Sequence, residues 1–207
     1  MRLKHVNLER LVHYYHALGE REAAGEFFSS GQIASLLHMD DTQIRKDLAA
    51  IGVRGYPRRG FRTAEVVEAI RETLGFSKNY TAILVGAGHL GGALAAYGAF
   101  SKYGMKVVGV FDREPEKQGQ RFGRLLVQPM ARLRSKVRKH GVRLAMIAVP
   151  AAEAQEVADT VVAAGICTLW SFAPTTLVVP KHVYVRNEHI SVGLGELAYT
   201  LKHCPPE

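Results

Sequence analysis

The sequence has few of the patterns that mark secreted, membrane or zinc-binding proteins. It contains two cysteines, Cys167 and Cys204, and neither has a partner at C-x-x-C spacing, so we interpret both as free thiols. No apolar run approaches the roughly 20 residues that a bilayer-spanning helix requires. The first ten residues, MRLKHVNLER, lack the apolar segment of a secretory signal, and we therefore expect a cytoplasmic protein.

Catalytic signatures are also scarce. No tyrosine is followed by a lysine four residues later, which excludes the Tyr-x-x-x-Lys pair of hydride-transfer chemistry. The H-E-x-x-H pattern of zinc enzymes is absent, and the nine histidines are scattered along the chain. We therefore expect neither a catalytic residue nor a bound metal, and the sequence favours a binding function.

Length and charge allow a two-domain protein with a polyanionic partner. The chain has 207 residues, of which 47% are hydrophobic and 22% charged, as is typical of globular proteins. Its formal net charge is +8, and clustered cations raise the local potential that attracts polyanions. Six basic residues face only Asp47 between Arg45 and Arg62, and eight occur without an acid between Arg121 and Arg143.

The first 51 residues have the pattern of a helix followed by a helix-turn-helix. Apolar residues at helical spacing predict an amphipathic helix from residue 7 to about 24: Leu8, Leu11, Val12, Tyr15 and Leu18. Two shorter helices are predicted over residues 30–51, on either side of HMDD. Ser29 with Gln32 has the spacing of a capping box for the first of them, and Asp40 with Gln43 offers the same signature for the second. Their shared apolar faces favour a helix-turn-helix.

A basic loop and a further helix complete this region. The segment GVRGYPRRGF cannot continue a helix because its glycines and proline break helical geometry, and it predicts a tight, strand-like wing. A helix from Thr63 to Leu74 then closes a domain that we assign to residues 1–77. A recognition helix of this kind enters the major groove, and arginines on a slender loop suit the minor groove. The predicted DNA contacts are Thr42, Gln43, Arg45, Lys46, Arg58 and Arg59. Asp47 is expected to orient Arg45 or Lys46, and the alternative for the whole region is a three-helix bundle with a solvated basic loop.

From Tyr80 onward, short apolar runs alternate with helical patterns. The runs AILVG, KVVGVFD, LAMIAVP and CTLWSFAP are typical of strands that are buried on both faces of a parallel sheet. A last helical segment over residues 191–207 spaces Val192, Leu194, Leu197 and Leu201 on one side. Because Gly193 and Gly195 lower its helicity, we expect this helix to pack against another element.

The segment Gly86 to Gly91 fits the pattern G-x-G-x-x-G. It follows an apolar strand and opens a helix that is predicted to run through Phe100. The first glycine allows the tight turn, the second the approach of a pyrophosphate, and the third close packing of helix and strand. Asp112 ends the next strand, where a carboxylate can bind the adenosine ribose and repel a 2′-phosphate. Arg113 leaves the resulting preference for NAD(H) open, and the alternative is a glycine-rich turn without a ligand.

Together these patterns predict an α/β fold with two domains. A winged helix-turn-helix domain over residues 1–77 is followed by a Rossmann-like parallel-sheet domain over residues 78–190. Because 95 residues follow Asp112 in this sequence and are needed to complete the sheet, we expect no separate substrate domain. A nucleotide site without catalytic groups is typical of a sensor. The basic stretch 121–143, partly in a helical pattern, is either a solvated helix face or a phosphate-contacting patch.

Five segments in this order resemble the Rex family of redox-sensing transcriptional repressors, and the resemblance covers nearly the whole chain. QIRKDLAAIG is similar to the family's RKDLS-x-FG, and GAGHLGGALAAY to its GAGNLG-type loop. FDREPEKQG, AVPAAEAQEVAD and AGICTLWSFAP resemble FD-x-D-P-x-K-x-G, VP…AQ-x-x-AD and AGI…NFAP. The resemblance implies a homodimer that exchanges C-terminal helices, residues 191–207 here. It also implies binding to operator DNA when NADH is scarce and release when NADH binds, with NADH and NAD⁺ as the sensed ligands.

The resemblance also implies roles for residues at matching positions. Those expected around the pyrophosphate are Gly86, Gly88, His89, Leu90 and Gly91. Asp112 is expected at the ribose, with Arg113 beside it. Val149 and Pro150 are expected to line the cleft, and the nicotinamide side is assigned to Phe172, Ala173 and Pro174. Tyr97 and His189 match positions that couple the two states of the dimer.

The chain departs from the family pattern at several of these positions. His89 and Ser171 stand where the family has asparagines, and His189 stands where it has an aspartate. The wing GYPRRGF also differs from the family's RG-x-GY. These departures leave open a paralogue that binds DNA with a lost or altered NADH response. A small NAD-dependent oxidoreductase is a third interpretation, which requires a catalytic group in the cleft.

Overall fold

Four helices and a two-stranded sheet form the first part of the chain. The computed structural model describes residues 5–19 and 26–204. The elements of this part are α1 (His5–Gly19), β1 (Phe27–Phe28), α2 (Ser30–Leu37), α3 (Asp41–Ala50), β2 (Phe61–Arg62) and α4 (Thr63–Leu74). Strands β1 and β2 pair in antiparallel orientation. The predicted helix-turn-helix and the predicted bounds of α4 are confirmed, whereas the predicted end of α1 at about residue 24 lies outside the described residues.

The caps of α2 and α3 explain where the helix-turn-helix begins. Ser29 and Gln32 form the complete capping box that their spacing predicts. Asp40 caps α3 by accepting a hydrogen bond from the backbone N–H of Gln43 at 2.9 Å. The Gln43 side chain does not accept the reciprocal bond from the Asp40 backbone N–H; its amide is directed to Asp47, to which Nε2 donates at 2.9 Å. The prediction for α3 was therefore right for the Asp40 cap and wrong for the reciprocal bond to the Gln43 side chain.

Asp47 lies inside this part of the chain rather than on its surface. It is 4% exposed, and its carboxylate accepts hydrogen bonds from Arg10 Nε at 2.6 Å and from the Tyr14 hydroxyl at 2.9 Å, besides the bond from Gln43. Burial by itself would raise the pKa of Asp47, but these hydrogen bonds and the charge of Arg10 outweigh it and hold the pKa below its ordinary value. Asp47 thus ties α3 to α1. The expectation that it orients Arg45 or Lys46 was wrong.

A seven-stranded sheet forms the second part of the chain. Its elements are β3 (Tyr80–Val85), α5 (His89–Ala96), β4 (Met105–Asp112), β5 (Arg121–Phe122), β6 (Leu125–Pro129), α6 (Leu133–His140), β7 (Leu144–Ile147), α7 (Ala151–Ala163), β8 (Thr168–Ser171), β9 (Tyr184–Asn187) and α8 (Ile190–His203). The strand order is β5-β6-β4-β3-β7-β8-β9, and every pair is parallel except β5 with β6.

Both faces of this sheet are buried, as the continuous apolar runs predict. Ile83 and Val85 belong to one apolar cluster, and Ala82 and Leu84 belong to another. Successive side chains of a strand point to opposite faces, so β3 has a core on each side. The chain runs outward from β3 to β4 and β6 and then returns to β7 on the other side of β3. Ligands of open α/β sheets bind at such a reversal, at the carboxyl ends of the strands.

Three strands and one helix end differ from the expectations. The edge strands β5 and β9 and the strand β6 next to β5 were not predicted, because they are short and mix polar with apolar residues. The basic stretch 121–143 therefore forms two strands before it forms α6. Helix α5 ends at Ala96 rather than at Phe100, since Tyr97 has extended backbone angles and a short 3-10 helix follows from Gly98 to Tyr103.

Helix α8 exposes its apolar side chains. Six of them are 59% to 75% exposed: Ile190, Val192, Leu194, Leu197, Tyr199 and Leu201. In a helix of 3.6 residues per turn, Ile190 aligns with Leu194, Leu197 and Leu201 at intervals of four, three and four residues, whereas Val192 lies on the other side. The stripe therefore starts at Ile190, and the placement of Val192 in it was wrong.

The chain divides into two units, Met1–Lys78 and Asn79–Glu207. The functional division into residues 1–77, 78–190 and 191–207 stays a prediction. None of the helices within residues 5–19 and 26–204 combines the length and apolarity that a membrane span needs.

Replacement of the buried carboxylate tests the role of Asp47. We expect Asp47→Asn to lower the free energy of unfolding of the first unit by about 3 kcal/mol, because Arg10 and Tyr14 lose a charged acceptor. The folded-state pKa is depressed, so this stabilisation is present above about pH 4 and is lost as the pH falls through the folded pKa. Amide hydrogen exchange in α1 and α3 measures the effect.

Asp41→Asn is the matched control, since Asp41 pairs with Arg45 on the exposed surface. Exposed pairs contribute about 0 to 1 kcal/mol, so this variant should remain close to the wild-type stability. An Asp47→Asn variant as stable as the control at pH 7 would contradict the assignment.

Candidate nucleotide cavity and nucleic-acid interface

Close packing defines the glycine-rich turn between β3 and α5. Gly86 has φ +105°, which side chains rarely tolerate, and a Cβ atom there would overlap the carbonyl of Ala148. A Cβ atom on Gly91 would overlap the carbonyl oxygen of Gly86. A Cβ atom on Gly88 would meet no atom of the described residues within 4 Å. Two glycines are thus required by packing, and the third borders open space at the start of α5.

Asp112 fixes this turn from the neighbouring strand. It is 6% exposed at the end of β4. Its Oδ2 accepts a hydrogen bond from the backbone N–H of Ala87 at 2.7 Å, and its Oδ1 accepts one from that of Glu114 at 2.9 Å. The carboxylate therefore joins the loops that follow β3 and β4. Oδ2 also faces Lys117 Nζ at 3.6 Å, whereas Oδ1 retains a second lone pair that can accept a hydrogen bond from a ribose hydroxyl.

A cavity of about 550 Å³ opens at the carboxyl ends of β3, β4 and β7. This is the crevice in which α/β sheets bind ligands. Eight residues that the sequence predicts for dinucleotide binding line it: Gly86, Gly88, His89, Leu90, Asp112, Arg113, Val149 and Pro150. Gly91 is buried under the turn, where it allows the close approach of α5 to β3.

The residues predicted for the nicotinamide side do not line this cavity. Phe172, Ala173 and Pro174 follow β8, the strand next to β7. Ala173 is buried, and the ring of Phe172 packs against that of Trp170 with centroids 4.9 Å apart. The structure thus places them at the same end of the sheet but outside the cavity lining.

The acidic wall of the cavity was not foreseen from the sequence. Glu153 Oε1 lies 2.6 Å from Arg113 Nη2, and Lys117 Nζ lies 3.0 Å from Glu114 Oε1. The bond to Glu114 raises the pKa of Lys117 in spite of desolvation, and Asp112 adds to this effect. Glu153 and Glu156 lie early in α7, which begins directly after Val149 and Pro150. That position is the signal that could have identified them. The other lining residues missed are Val85, Met130, Ala148, Val157 and Thr160.

A row of aromatic rings extends from the predicted coupling residue Tyr97, which is exposed. Successive ring centroids are 5.1, 6.1 and 4.9 Å apart in the order Tyr97, Phe100, Trp170 and Phe172. Trp170 Nε1 also donates a hydrogen bond to Glu188 at 3.2 Å. Glu188 directly precedes His189, the residue before α8. Tyr97 is therefore linked to Trp170 through the ring of Phe100, and His189 is linked to it through its chain neighbour Glu188.

The residues that differ from the family pattern lie in different surroundings. His89 is the first residue of α5 and lines the cavity. Ser171 is fully buried, and its hydroxyl has no hydrogen-bond partner among the described residues. Asn187, its register partner on β9, has a buried side-chain oxygen that also lacks one within residues 5–19 and 26–204. An asparagine is longer than a serine, so the shorter side chain changes the hydrogen bonding available between β8 and β9.

Helix α3 presents three of its four predicted DNA contacts to solvent. Thr42, Arg45 and Lys46 are exposed, and Arg45 forms an exposed ion pair with Asp41 at 2.9 Å. Gln43 is half-buried, with its amide nitrogen engaged by Asp47. That all four residues contact DNA stays a prediction.

The wing closes through a bridge between Tyr56 and Gly60. Arg58 lies at its tip with φ +61°, and its side chain is exposed. Arg59 lies over the ring of Phe27, with its guanidinium carbon 4.0 Å from the ring centroid. The two arginines predicted for the minor groove thus differ in their contacts, since Arg59 packs against Phe27 of β1 and Arg58 extends into solvent.

The basic stretch 121–143 forms a positive surface on α6. Leu133 and Val137 are buried, and the basic residues between and after them face solvent or lie partly exposed. Desolvation and then the charges of Lys136 and Lys139 lower the pKa of His140. These side chains are solvated, as a surface helix requires.

Metal-binding groups are not found in the described part of the chain. There, no three His, Cys, Asp or Glu side chains come together as a metal site requires. Cys167 and Cys204 are both free and exposed. The apolar surroundings of Cys167 in the sequence do not bury it.

Known families match both units of the chain. A family described as CoA binding domain matches residues 77–175, and a family of DNA-binding protein N-termini matches residues 6–49. The first match covers the cavity and the second covers the helix-turn-helix.

Relatives and solved structures cover almost the whole chain. It is 40% identical over 173 residues to the redox-sensing transcriptional repressor Rex of Pelotomaculum thermopropionicum. The aligned residues span 84% of this chain and 81% of the relative. A crystal structure of RSP, a Rex-family repressor, in complex with β-NAD⁺ and operator DNA matches with a TM-score of 0.92 at 29% identity, over 98% of this chain and 94% of that chain. The structure of RSP in complex with β-NADH matches with a TM-score of 0.87 at 29% identity, over 98% of this chain and 96% of that chain. The chain belongs to the Rex family of redox-sensing transcriptional repressors.

Proposed function

We propose that this chain is a redox-sensing transcriptional repressor that binds operator DNA as a homodimer and releases it when NADH binds. The observation that supports the proposal is the presence, in one chain, of a cavity bordered by the G-x-G-x-x-G turn and of a helix-turn-helix with an exposed basic face. RSP, which matches it over 98% of its length, forms complexes with NAD⁺ and operator DNA and with NADH.

The winged unit supplies the DNA contacts in this proposal. Arg45 and Lys46 on α3 meet base edges and phosphates in the major groove, and Thr42 and the half-buried Gln43 contact the groove edge. Arg58 at the wing tip enters the minor groove, while Arg59 supports the wing through Phe27.

The cavity binds the dinucleotide. The pyrophosphate lies at the start of α5, against Gly86, Gly88, His89 and Leu90, because helix N-termini favour anions. Asp112, with Arg113 beside it, faces the adenosine ribose. Val149 and Pro150 form the cleft wall, and the nicotinamide extends toward Phe172, Ala173 and Pro174 after β8.

Helix α8 supplies the dimer contact, with a second copy of the chain as its partner. Its apolar stripe of Ile190, Leu194, Leu197 and Leu201 would otherwise stay in water. Residues 191–207 are proposed to exchange between subunits. Two winged units joined in this way can engage two half-sites about 34–36 Å apart, so a small rotation prevents simultaneous binding.

The ligand acts by shifting an equilibrium between two dimer states. Moving the ratio of the two dimer states from 1:99 to 99:1 requires the ligand to bind one state more tightly than the other by about 5.5 kcal/mol in total. Two bound nucleotides share this difference. Tyr97 and His189 are proposed to link cavity and dimer contact through Trp170 and Glu188. In this function the chain is not an enzyme, and it acts in the cytoplasm, where its operator lies.

A paralogue with an altered NADH response is the second candidate. The unpartnered hydroxyl of Ser171 favours it, because this residue precedes the segment assigned to the nicotinamide. DNA binding without ligand-induced release would identify such a paralogue.

A mobility-shift series tests the main proposal. The DNA is a duplex selected from a randomised pool by the chain itself. We expect saturating NADH to weaken binding about ten-fold or more, in the usual range of allosteric coupling, whereas NAD⁺ and NADPH weaken it far less. Arg45→Ala should lose about ten-fold in affinity for this DNA and still bind NADH. Equal DNA affinity under all three nucleotides would favour the paralogue, and failure to select any DNA would exclude repression.

Gly88 tests the cavity separately from the fold. Gly88→Ala should weaken NADH binding about ten-fold because its methyl group occupies the space reserved for the pyrophosphate, while the free energy of unfolding changes by about 1 kcal/mol or less. Energy transfer from Trp170, the single tryptophan, to NADH measures binding. Gly91→Ala is the contrasting variant, and we expect it to lose about 1–3 kcal/mol of stability through overpacking. Unchanged NADH affinity in Gly88→Ala would argue against this pose.

Leu197 tests the dimer contact. Leu197→Asp places a charge in the apolar stripe of α8, and we expect a monomer in sedimentation experiments together with weak operator binding. Lys202→Asp changes the charge by more but lies outside the stripe, so it should remain a dimer. A dimeric Leu197→Asp variant would exclude α8 as the main contact.

A further inference from the structure

Arg113 is the cavity residue that makes the choice between NAD(H) and NADP(H) ambiguous. It follows Asp112 directly and lines the cavity where the proposed function places the adenosine ribose. A carboxylate at this position favours the 2′-hydroxyl of NAD(H), whereas a nearby arginine accommodates the 2′-phosphate of NADP(H). The outcome therefore depends on whether the Arg113 guanidinium is available.

Glu153 holds that guanidinium. Its Oε1 lies 2.6 Å from Arg113 Nη2, and its side chain is 21% exposed against 59% for Arg113. Glu153 also lies in the first turn of α7, where the helix dipole stabilises an acid. The acid is thus the anchored member of the pair, and it fixes the more exposed arginine.

Among the described residues, the rest of the cavity lining offers no lysine or arginine that is free of a carboxylate partner. Lys117, a second cation in the lining, is paired with Glu114 at 3.0 Å and with Asp112 at 3.6 Å. Four carboxylates and these two cations line the cavity: Asp112, Glu114, Glu153 and Glu156 with Arg113 and Lys117. A 2′-phosphate, with a charge of about −1.5 to −2, would meet a net negative wall whose cations are already paired.

We propose that Glu153 determines coenzyme selectivity: by engaging Arg113 it makes the cavity select NAD(H) and reject NADP(H). The inference rests on the proposed function, because it assumes that the cavity binds the adenosine half of a pyridine dinucleotide. It assigns to Glu153 a role that neither the glycine-rich turn nor Asp112 can fill, since neither controls the arginine.

The test compares NADPH with NADH binding in the full-length protein, by energy transfer from Trp170 and by calorimetry. Glu153→Ala frees Arg113, and we expect the ratio of NADPH to NADH affinity to rise about ten-fold through new charge-assisted hydrogen bonds. The double variant Arg113→Ala with Glu153→Ala should lose most of this gain. Glu153→Gln, which keeps the size of the side chain, should give a smaller gain in the same direction.

Glu156→Ala separates release of Arg113 from simple loss of negative charge. It removes an equal charge from the same wall without freeing the arginine, so its gain in the ratio should be well below that of Glu153→Ala. An unchanged ratio in Glu153→Ala, an equal gain in Glu156→Ala, or a full gain in the double variant would overturn the proposal. In each of these cases wild-type NADH binding persists and the proposed function stands. A wild-type protein that binds neither nucleotide would instead overturn both.

Discussion

The close approach of α5 to the turn after β3 is the constraint on which the nucleotide cavity depends. Gly91 allows the helix to lie against the Gly86 carbonyl, and Gly86 can adopt the required backbone angles because it has no side chain. Asp112 then holds the turn from β4 through the Ala87 N–H. With the turn held from two sides, the start of α5 faces the crevice where the strand order reverses, and an anion can meet a helix N-terminus there.

Each unit uses one buried carboxylate to join its parts. Asp47 accepts bonds from side chains of α1 and α3, including a guanidinium, and so fixes the recognition helix against the core. Asp112 accepts bonds from two backbone amides in loops that border the cavity. A buried charge requires such partners, because leaving it unpaired costs several kcal/mol. The first carboxylate is therefore committed to stability, whereas the second retains acceptor capacity for a ligand.

Cations are arranged differently on the two proposed binding surfaces. On α3 and the wing, Lys46 and Arg58 extend into solvent, as contact with a phosphate polymer requires. In the cavity, Arg113 and Lys117 are engaged by carboxylates, which suits a ligand whose only phosphates lie at the start of α5. In the proposed function, solvent-exposed charge on α3 and the wing attracts DNA, and paired charge in the cavity discriminates among dinucleotides.

The parts of this protein that depend on local spacing could be predicted from its amino-acid sequence. Ser29 with Gln32, the apolar runs of the inner strands and the G-x-G-x-x-G segment each act within a few residues, so the helix-turn-helix, the parallel sheet and the turn were predictable. Short edge strands such as β9 carry too weak a pattern, and the end of α5 at Ala96 depends on the extended backbone of Tyr97. Three contacts became known only from the folded chain: Asp47 with Arg10, Gln43 with Asp47, and Glu153 with Arg113. Those contacts join residues that are mostly far apart in the chain, and a side chain's partner depends on which elements the fold brings together.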